Sequence, residues 1–368
     1  MMNSKPLVIF AYAFIHRKTF DFIKTLIDGG FNNLYIIAAP KLELGKKETT
    51  NIGLFGNIRT AKDLSKFYGL KYIEVAHTSV DEIKRFVPLE AKTAIIAGAR
   101  ILKKEIIDIF EHGIINFHPG AIPETSGLDS FYWMIKKKAK PGITVHYIDH
   151  KVDSGELIFF HHIDINEINS VTGLISEIYN SQIQALKRLL IVLSLNKKCL
   201  TMKIDRPEKN HQIDDNMKTQ ILEGFDNWLG IQKKMEAKVS NCYEAVKDDN
   251  INLLKNNFDN EFIGYKNNFG RGIISECAFY NSIKCLKFLI KHKCDVNQFN
   301  EKGTTPLMYS KTLAMNSLDK KKLDIAKDII LELKKAGANA NQRDIYGKTV
   351  FDYLNGKNRD PLFHELSR

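Results

Sequence analysis

Short apolar runs alternate with helical patterns through the first two hundred positions, and this alternation limits the fold more than any other feature of the chain. Leu7–Tyr12, Leu34–Ala39, Tyr72–Val75 and Thr93–Ala97 are short, rich in β-branched and aromatic residues, and bounded by polar or turn residues, so they read as buried strands. Thr19–Asp28, Thr60–Tyr68, Val80–Phe86 and Lys103–Glu111 read as the helices between them. That order predicts an α/β doubly wound, Rossmann-like domain built on a parallel sheet with right-handed crossovers. The turn after the first strand, "FAYAFIHRKTF", contains no glycine, which argues against a dinucleotide gripped at the first helix. His16-Arg17-Lys18 instead puts positive charge at that helix start. There it either favours phosphate, as backbone N–H groups do, or forms a capped and solvated turn.

The stretch Ile114–Gly155 carries the chemistry. It opens "IINFHPGAIPETSG" and closes "GITVHYIDHKVDSG". Its apolar runs Ile114–Phe117 and Ile143–Tyr147, followed by Leu157–Phe160, read as further buried strands. An amide, an imidazole and a carboxylate, Asn116, His118 and Asp153, fall at or just beyond strand ends. Ligands of open α/β sheets collect where strands end, so these groups are expected to converge on one crevice. Taken singly, Asn-x-His-Pro and Asp-Ser-Gly are turn signals. His161-His162 is expected to be structural, since a strand sends neighbours to opposite faces.

Asn-x-His-Pro, then Val-His-Tyr, then Val-Asp-Ser-Gly, with 37 positions from Asn116 to Asp153, resembles the folate-dependent formyltransferases. Arg100-Ile101-Leu102, closing "TAIIAGARIL", matches that family's folate-side strand end, and "HPGAIPETSGLDSFYWMI" looks most like its sugar-nucleotide N-formyltransferases. The resemblance covers about residues 6 to 195 well and 200 to 235 loosely. One departure stands at Ser126, where many relatives carry Arg.

The resemblance implies transfer of a formyl group from 10-formyltetrahydrofolate to an amine, with Asn116, His118 and Asp153 catalytic and no metal. An Asn N–H suits a developing oxyanion. His118 either donates to that oxygen when charged or takes the proton of the attacking ammonium when neutral. Asp153 would raise the His118 pKa and help shuttle the proton, and His146 would orient Asp153. The folate side would be Arg100, Ile101 and Leu102 with the loop Asp149, His150, Lys151 and Val152, working mainly through backbone groups. For the acceptor, His16, Arg17, His77, Gly120, Asp129 and Trp133 are candidates. Trp133 equally reads as the apolar face of a helix Leu128–Lys137. The implied acceptor is a dTDP-linked 3-amino- or 4-amino-dideoxy sugar, used for surface polysaccharide (O-antigen). Alternatives are a methionyl-tRNA-type or other amine formyltransferase, or an interaction protein on a retained formyltransferase-like scaffold.

At 368 residues the chain exceeds one ordinary core. The organisation expected is a catalytic domain over 1–197, a linker and dimerisation hairpin over 198–238, and all-α ankyrin repeats over 239–368. Phe225, Trp228 and Leu229 look like apolar anchors lacking a core of their own, which predicts a homodimer through Lys198–Ile231. Gly270, Gly303 and Gly347 are spaced by 33 and 44 residues, and "CDVNQFNEKGTTPL" aligns with "ANANQRDIYGKTVF". The 33-residue period resembles ankyrin repeats, with an eleven-residue insertion in Lys311–Lys322, and such units must stack to bury their apolar faces. They would bind a protein partner or a second ligand. Leu7–Ile15 lacks a cleavage pattern and Leu189–Leu195 is too short to span a bilayer, so neither membrane nor signal segment is expected. Five cysteines without zinc or CxxC spacing read as buried thiols of a cytoplasmic protein. The formal charge of +11 is dispersed in lysine runs not interleaved with aromatics, so no nucleic-acid partner is expected.

Overall fold

The computed structural model describes residues 5–41, 58–150, 155–204, 209–267, 269–315, 320–354 and 360–367. These form two compact units, Met1–Trp228 and Leu229–Arg368. The first unit opens with β1 (Leu7–Tyr12), α1 (Arg17–Asp28), β2 (Leu34–Ala39), α2 (Ala61–Tyr68), β3 (Lys71–Glu74), α3 (Val80–Phe86), β4 (Thr93–Ile96) and the short α4 (Lys104–Ile107). It continues with β5 (Gly113–Pro119), α5 (Ser130–Lys136), β6 (Gly142–Ile148), β7 (Gly155–His162), α6 (Val171–Ser194), β8 (Met202–Lys203) and α7 (Asp215–Glu223).

The eight strands make one sheet in the order β3-β2-β1-β4-β5-β6-β7-β8. From β3 to β5 the pairing is parallel, as the alternation predicts. From β5 to β8 it is antiparallel, so the sheet is mixed and the all-parallel expectation is corrected. The chain winds outward from β1 to β3 and returns to β4 beside β1, which places a topological switch point between β1 and β4. β4 accompanies β5 only as far as Ile95 against Ile115. Asn116–Pro119 therefore run on past β4, paired with β6 alone.

Strand alternation sends Phe117 to one face and Asn116 and His118 to the other. Phe117 is fully buried, its ring edge-on to Phe22 of α1 at 5.1 Å, and α1 packs with α6 under this part of the sheet. Phe10, Ile9, Ile36 and Phe159 complete a core close to zero exposure.

Among the described residues after 198, no second strand pairs with β8 to make the expected hairpin. β8 is a two-residue edge strand, and α7 and then α8 (Phe225–Lys247) follow. Phe225 and Trp228 are 4% and 2% exposed, with their rings 5.9 Å apart and Trp228 Nε1 donating to the Ala139 carbonyl at 3.4 Å. Phe225 and Trp228 are thus buried within the chain, whereas Met202 on β8 is 36% exposed.

The second unit is helical. It continues with α9 (Ile251–Asn257), α10 (Ile273–Tyr280), α11 (Ile283–Lys291), α12 (Pro306–Met315), α13 (Lys320–Lys335) and α14 (Phe363–Ser367). Three turns repeat with one hydrogen-bond plan. Asn267 Oδ1 accepts from the N–H groups of Phe269 and Arg271, Asn300 Oδ1 from Lys302 and Thr304, and Asp344 Oδ1 from Tyr346 and Lys348. Each turn closes on a glycine with φ of 71°, 78° and 74° at Gly270, Gly303 and Gly347, a region that a Cβ disfavours. α12 and α13 have 10 and 16 residues where α10 and α11 have 8 and 9, so most of the insertion lengthens helices. All five cysteines are buried and free. No helix among the described residues is long and apolar enough to cross a membrane.

A buried ion pair lies within this unit. Arg271 Nε is 2.6 Å from Glu276 Oε1, with the two side chains only 12% and 3% exposed. The guanidinium also sits 4.2 Å from the centre of the Phe279 ring. Removing one partner leaves the other charge buried, which costs about 3–5 kcal/mol, whereas replacing both by apolar groups can be neutral. Urea titration should show Arg271→Met destabilised by that amount, with Arg271→Met/Glu276→Leu recovering most of it.

Candidate active site

The crevice beside β5 is built from pairs that the strand register creates. Asn116 lies opposite His146 across the β5–β6 ladder, and His118 opposite Thr144. Asn116 Nδ2 donates to His146 Nε2 at 3.2 Å, and His146 is fully buried. His146 must carry its own proton on Nδ1 to accept this bond. The contact fixes the Asn116 amide plane and uses one of its two N–H groups, leaving the second for a ligand oxygen. His146 therefore orients Asn116, while its expected role toward Asp153 falls on residues outside those described.

His118 is 5% exposed, and its Nε2 lies 3.0 Å from the Thr125 carbonyl and 3.2 Å from Thr125 Oγ1. A carbonyl only accepts, so Nε2 holds the proton and Nδ1 is the basic nitrogen of the neutral ring. The loop presenting Thr125 is tied down along its length. Thr144 Oγ1 donates to the Gly120 carbonyl at 2.6 Å, and Thr125 Oγ1 to that of Ala121 at 2.8 Å. Asn210 reaches back to the Ser126 and Glu124 carbonyls at 3.0 and 2.8 Å. Ser126 is fully buried in this strap. Asp153, Lys151 and Val152 lie outside the described residues, while Asp149 and His150 end the described part of the loop after β6.

Beyond β4, residues 100–102 lie in the irregular segment that leads into α4. Arg100 Nη2 donates to the Pro40 carbonyl at 3.2 Å, Leu102 is buried, and Ile101 is 71% exposed. Among the described residues the N–H groups of this segment take no hydrogen-bond partner. An exposed aliphatic side chain therefore lies beside backbone groups open to a ligand.

The acceptor candidates separate. Gly120 is required by the backbone: its φ is 123°, and a Cβ there would lie 2.4 Å from Thr125 Oγ1. His77 is 1% exposed, donates Nε2–H to the Ile37 carbonyl at 3.1 Å, and is held below the usual histidine range by burial. Asp129 accepts from the Ile213 N–H at 2.8 Å, and Trp133 Nε1 donates to the His211 carbonyl at 3.0 Å. Those three side chains hold the chain together. Arg17 is paired with Asp21 at 2.7 Å, and Tyr179 also donates to that carboxylate.

His16 caps α1, its Nδ1 accepting from the Thr19 N–H at 3.2 Å. Burial, then the charge of Lys18, pushes its pKa down to about 4, so it adds no charge at neutral pH and the triple-basic expectation for this turn is corrected. A separate cavity of about 310 Å³ between α5, α7 and the start of α8 is lined by Lys136, Lys138, Met217, Ile221 and Trp228, and neither Asn116 nor His118 lines it.

Residues 61–190 match the family model described as formyl transferase. The chain is 26% identical over 155 residues to methionyl-tRNA formyltransferase of Bacillus subtilis (strain 168), covering 41% of this chain and 47% of that one. Against the enzyme of the same name from Thermodesulfovibrio yellowstonii it is 25% identical over 245 residues, covering 63% and 75%. The chain spans about half the length of the Bacillus relatives it matches. Among solved structures it resembles a sugar N-formyltransferase from Shewanella sp FDAARGOS_354, with a TM-score of 0.42 at 16% identity over 60% of this chain and 87% of that one. It also resembles the Helicobacter canadensis N-formyltransferase complexed with folinic acid and dTDP-3-aminofucose, with a TM-score of 0.42 at 17% identity over 61% and 81%.

Proposed function

We propose that the chain is a folate-dependent N-formyltransferase whose acceptor is the amine of a dTDP-linked 3-amino- or 4-amino-dideoxy sugar, for O-antigen-type polysaccharide. One observation carries the transfer chemistry: Asn116 and His118 share a face at the free end of β5, each locked by its own partner, His146 and Thr125. The formyl transferase match over residues 61–190 supports it. 10-Formyltetrahydrofolate supplies the formyl carbon when bound, its pterin against residues 100–102. The free N–H of Asn116 hydrogen-bonds the oxygen on which negative charge develops, His118 Nδ1 takes the proton the attacking amine loses, and as the bond from the formyl carbon to N10 breaks that proton passes to N10 of the departing tetrahydrofolate. Asp153, two residues before the start of β7, completes the centre as an acid–base partner.

The segment from His118 to Ile135 favours the sugar acceptor by its resemblance to that branch. The names of the curated relatives favour a second reading, methionyl-tRNA as acceptor. Incubation with 10-formyltetrahydrofolate and a panel of amines separates them. Tetrahydrofolate release is expected with a dTDP-amino sugar, and release with methionyl-tRNA alone would overturn the sugar assignment. The repeated turns of the second unit are consistent with ankyrin repeats, which would bind a protein partner or a second ligand.

A further inference from the structure

α1 begins with two cations, and among the described residues only one of them meets a carboxylate. Arg17 has Asp21, but Lys18 has no carboxylate within ion-pair distance among the described residues. Its contacts are neutral: Nζ lies 3.4 Å from the Phe117 carbonyl and 5.1 Å from the centre of the Phe22 ring. A cation in the first turn of a helix opposes the macrodipole, and the partial burial of this one adds a desolvation cost. That burial lowers the lysine pKa to about 8. A neutral side chain would pack there at lower cost, so the position of the ammonium calls for a reason.

The reason is the peptide it reaches. Phe117 separates Asn116 from His118, on the stretch where β5 has left β4 and is paired on one edge only. α1 grips this residue twice, through Lys18 on its carbonyl and Phe22 on its ring. We propose that Lys18 is a positioning residue which fixes the unpaired edge of β5 and thereby the alignment of Asn116 and His118, a role that rests on the formyl-transfer reading. Misplacement of reacting groups by about 1 Å costs up to about a hundredfold in rate, so a modest loosening here is enough to be measured.

The test uses the full chain with Lys18→Met, Lys18→Gln and Lys18→Arg. With 10-formyltetrahydrofolate and a dTDP-amino sugar, Lys18→Met and Lys18→Gln should lower kcat by about 5- to 30-fold with KM for both substrates within about twofold, and Lys18→Arg should recover most of the loss. Hydrogen exchange of the 113–119 peptide should quicken at least about fivefold in Lys18→Met without a fall in Tm. A rise in acceptor KM with unchanged kcat would assign Lys18 to substrate binding and overturn the proposal. Unchanged kcat and exchange, or a Tm loss in both neutral variants, would overturn it equally. If the parent transfers formyl to nothing, the function reading fails, and the exchange measurement still decides whether Lys18 holds β5.

Discussion

His118→Asn is expected to lower kcat by about two to four powers of ten, or about 2.7 to 5.5 kcal/mol of transition-state stabilisation, with folding unchanged. Asn fills much of the imidazole's volume and can still donate to the Thr125 carbonyl, so the strapped loop keeps its contact. What it lacks is a basic nitrogen. In the native ring Nε2–H is committed to Thr125, so Nδ1 alone can take up the proton that the attacking amine loses. Steady-state rates together with urea titration separate the two effects. A variant within threefold of the parent would remove the imidazole from the mechanism.

Asn116→Ala is expected to cost about two to three powers of ten in kcat, the scale of a lost oxyanion donor. Two consequences combine here. The N–H aimed at the developing charge disappears, and His146, fully buried, loses the donor that its Nε2 accepts from. The second consequence also costs stability, about 0.5–1.5 kcal/mol for a lost hydrogen bond. A companion variant, His146→Phe, tests the partition. It keeps Asn116 but frees its amide, so kcat should fall less than in Asn116→Ala. If the two variants match, His146 does more than hold the amide.

The strand ends of this chain were legible because their residues are short-range signals. Leu7–Tyr12 and Leu34–Ala39 are strands over the residues read from their apolar runs. Asn116 and His118 could be assigned to one face because alternation alone requires it. What holds them was not legible. His146 meets Asn116 only through an antiparallel register, and nothing local distinguishes β6 from a parallel strand reached by a crossover, since α5 lies between β5 and β6 as a crossover helix would. The alternation of Thr144 and His146 on one face of "ITVHY" was the available signal that this strand contributes polar groups to the crevice. Thr125 and Asn210 are long-range partners with no pattern to announce them.

Charge was misread for a physical reason. A composition count treats His16, Arg17 and Lys18 as three basic residues, but burial neutralises the first and Asp21 pairs the second. Apolar anchors were misread in the opposite sense: Phe225 and Trp228 looked stranded in a polar segment, yet they are buried inside the chain. In the second unit, the 33- and 44-residue spacing was readable because each repeat needs a glycine at positive φ and an Asn or Asp to close its turn.

The most direct test of formyl transfer at β5 is a crystal structure with folinic acid, a stable formyl-folate. Folinic acid carries its formyl group on N5, so the pterin should lie against residues 100–102 with N10, which bears the formyl group in the donor, facing Asn116 Nδ2 and the His118 ring. Folinic acid bound elsewhere, or no binding at millimolar concentration, would contradict the assignment.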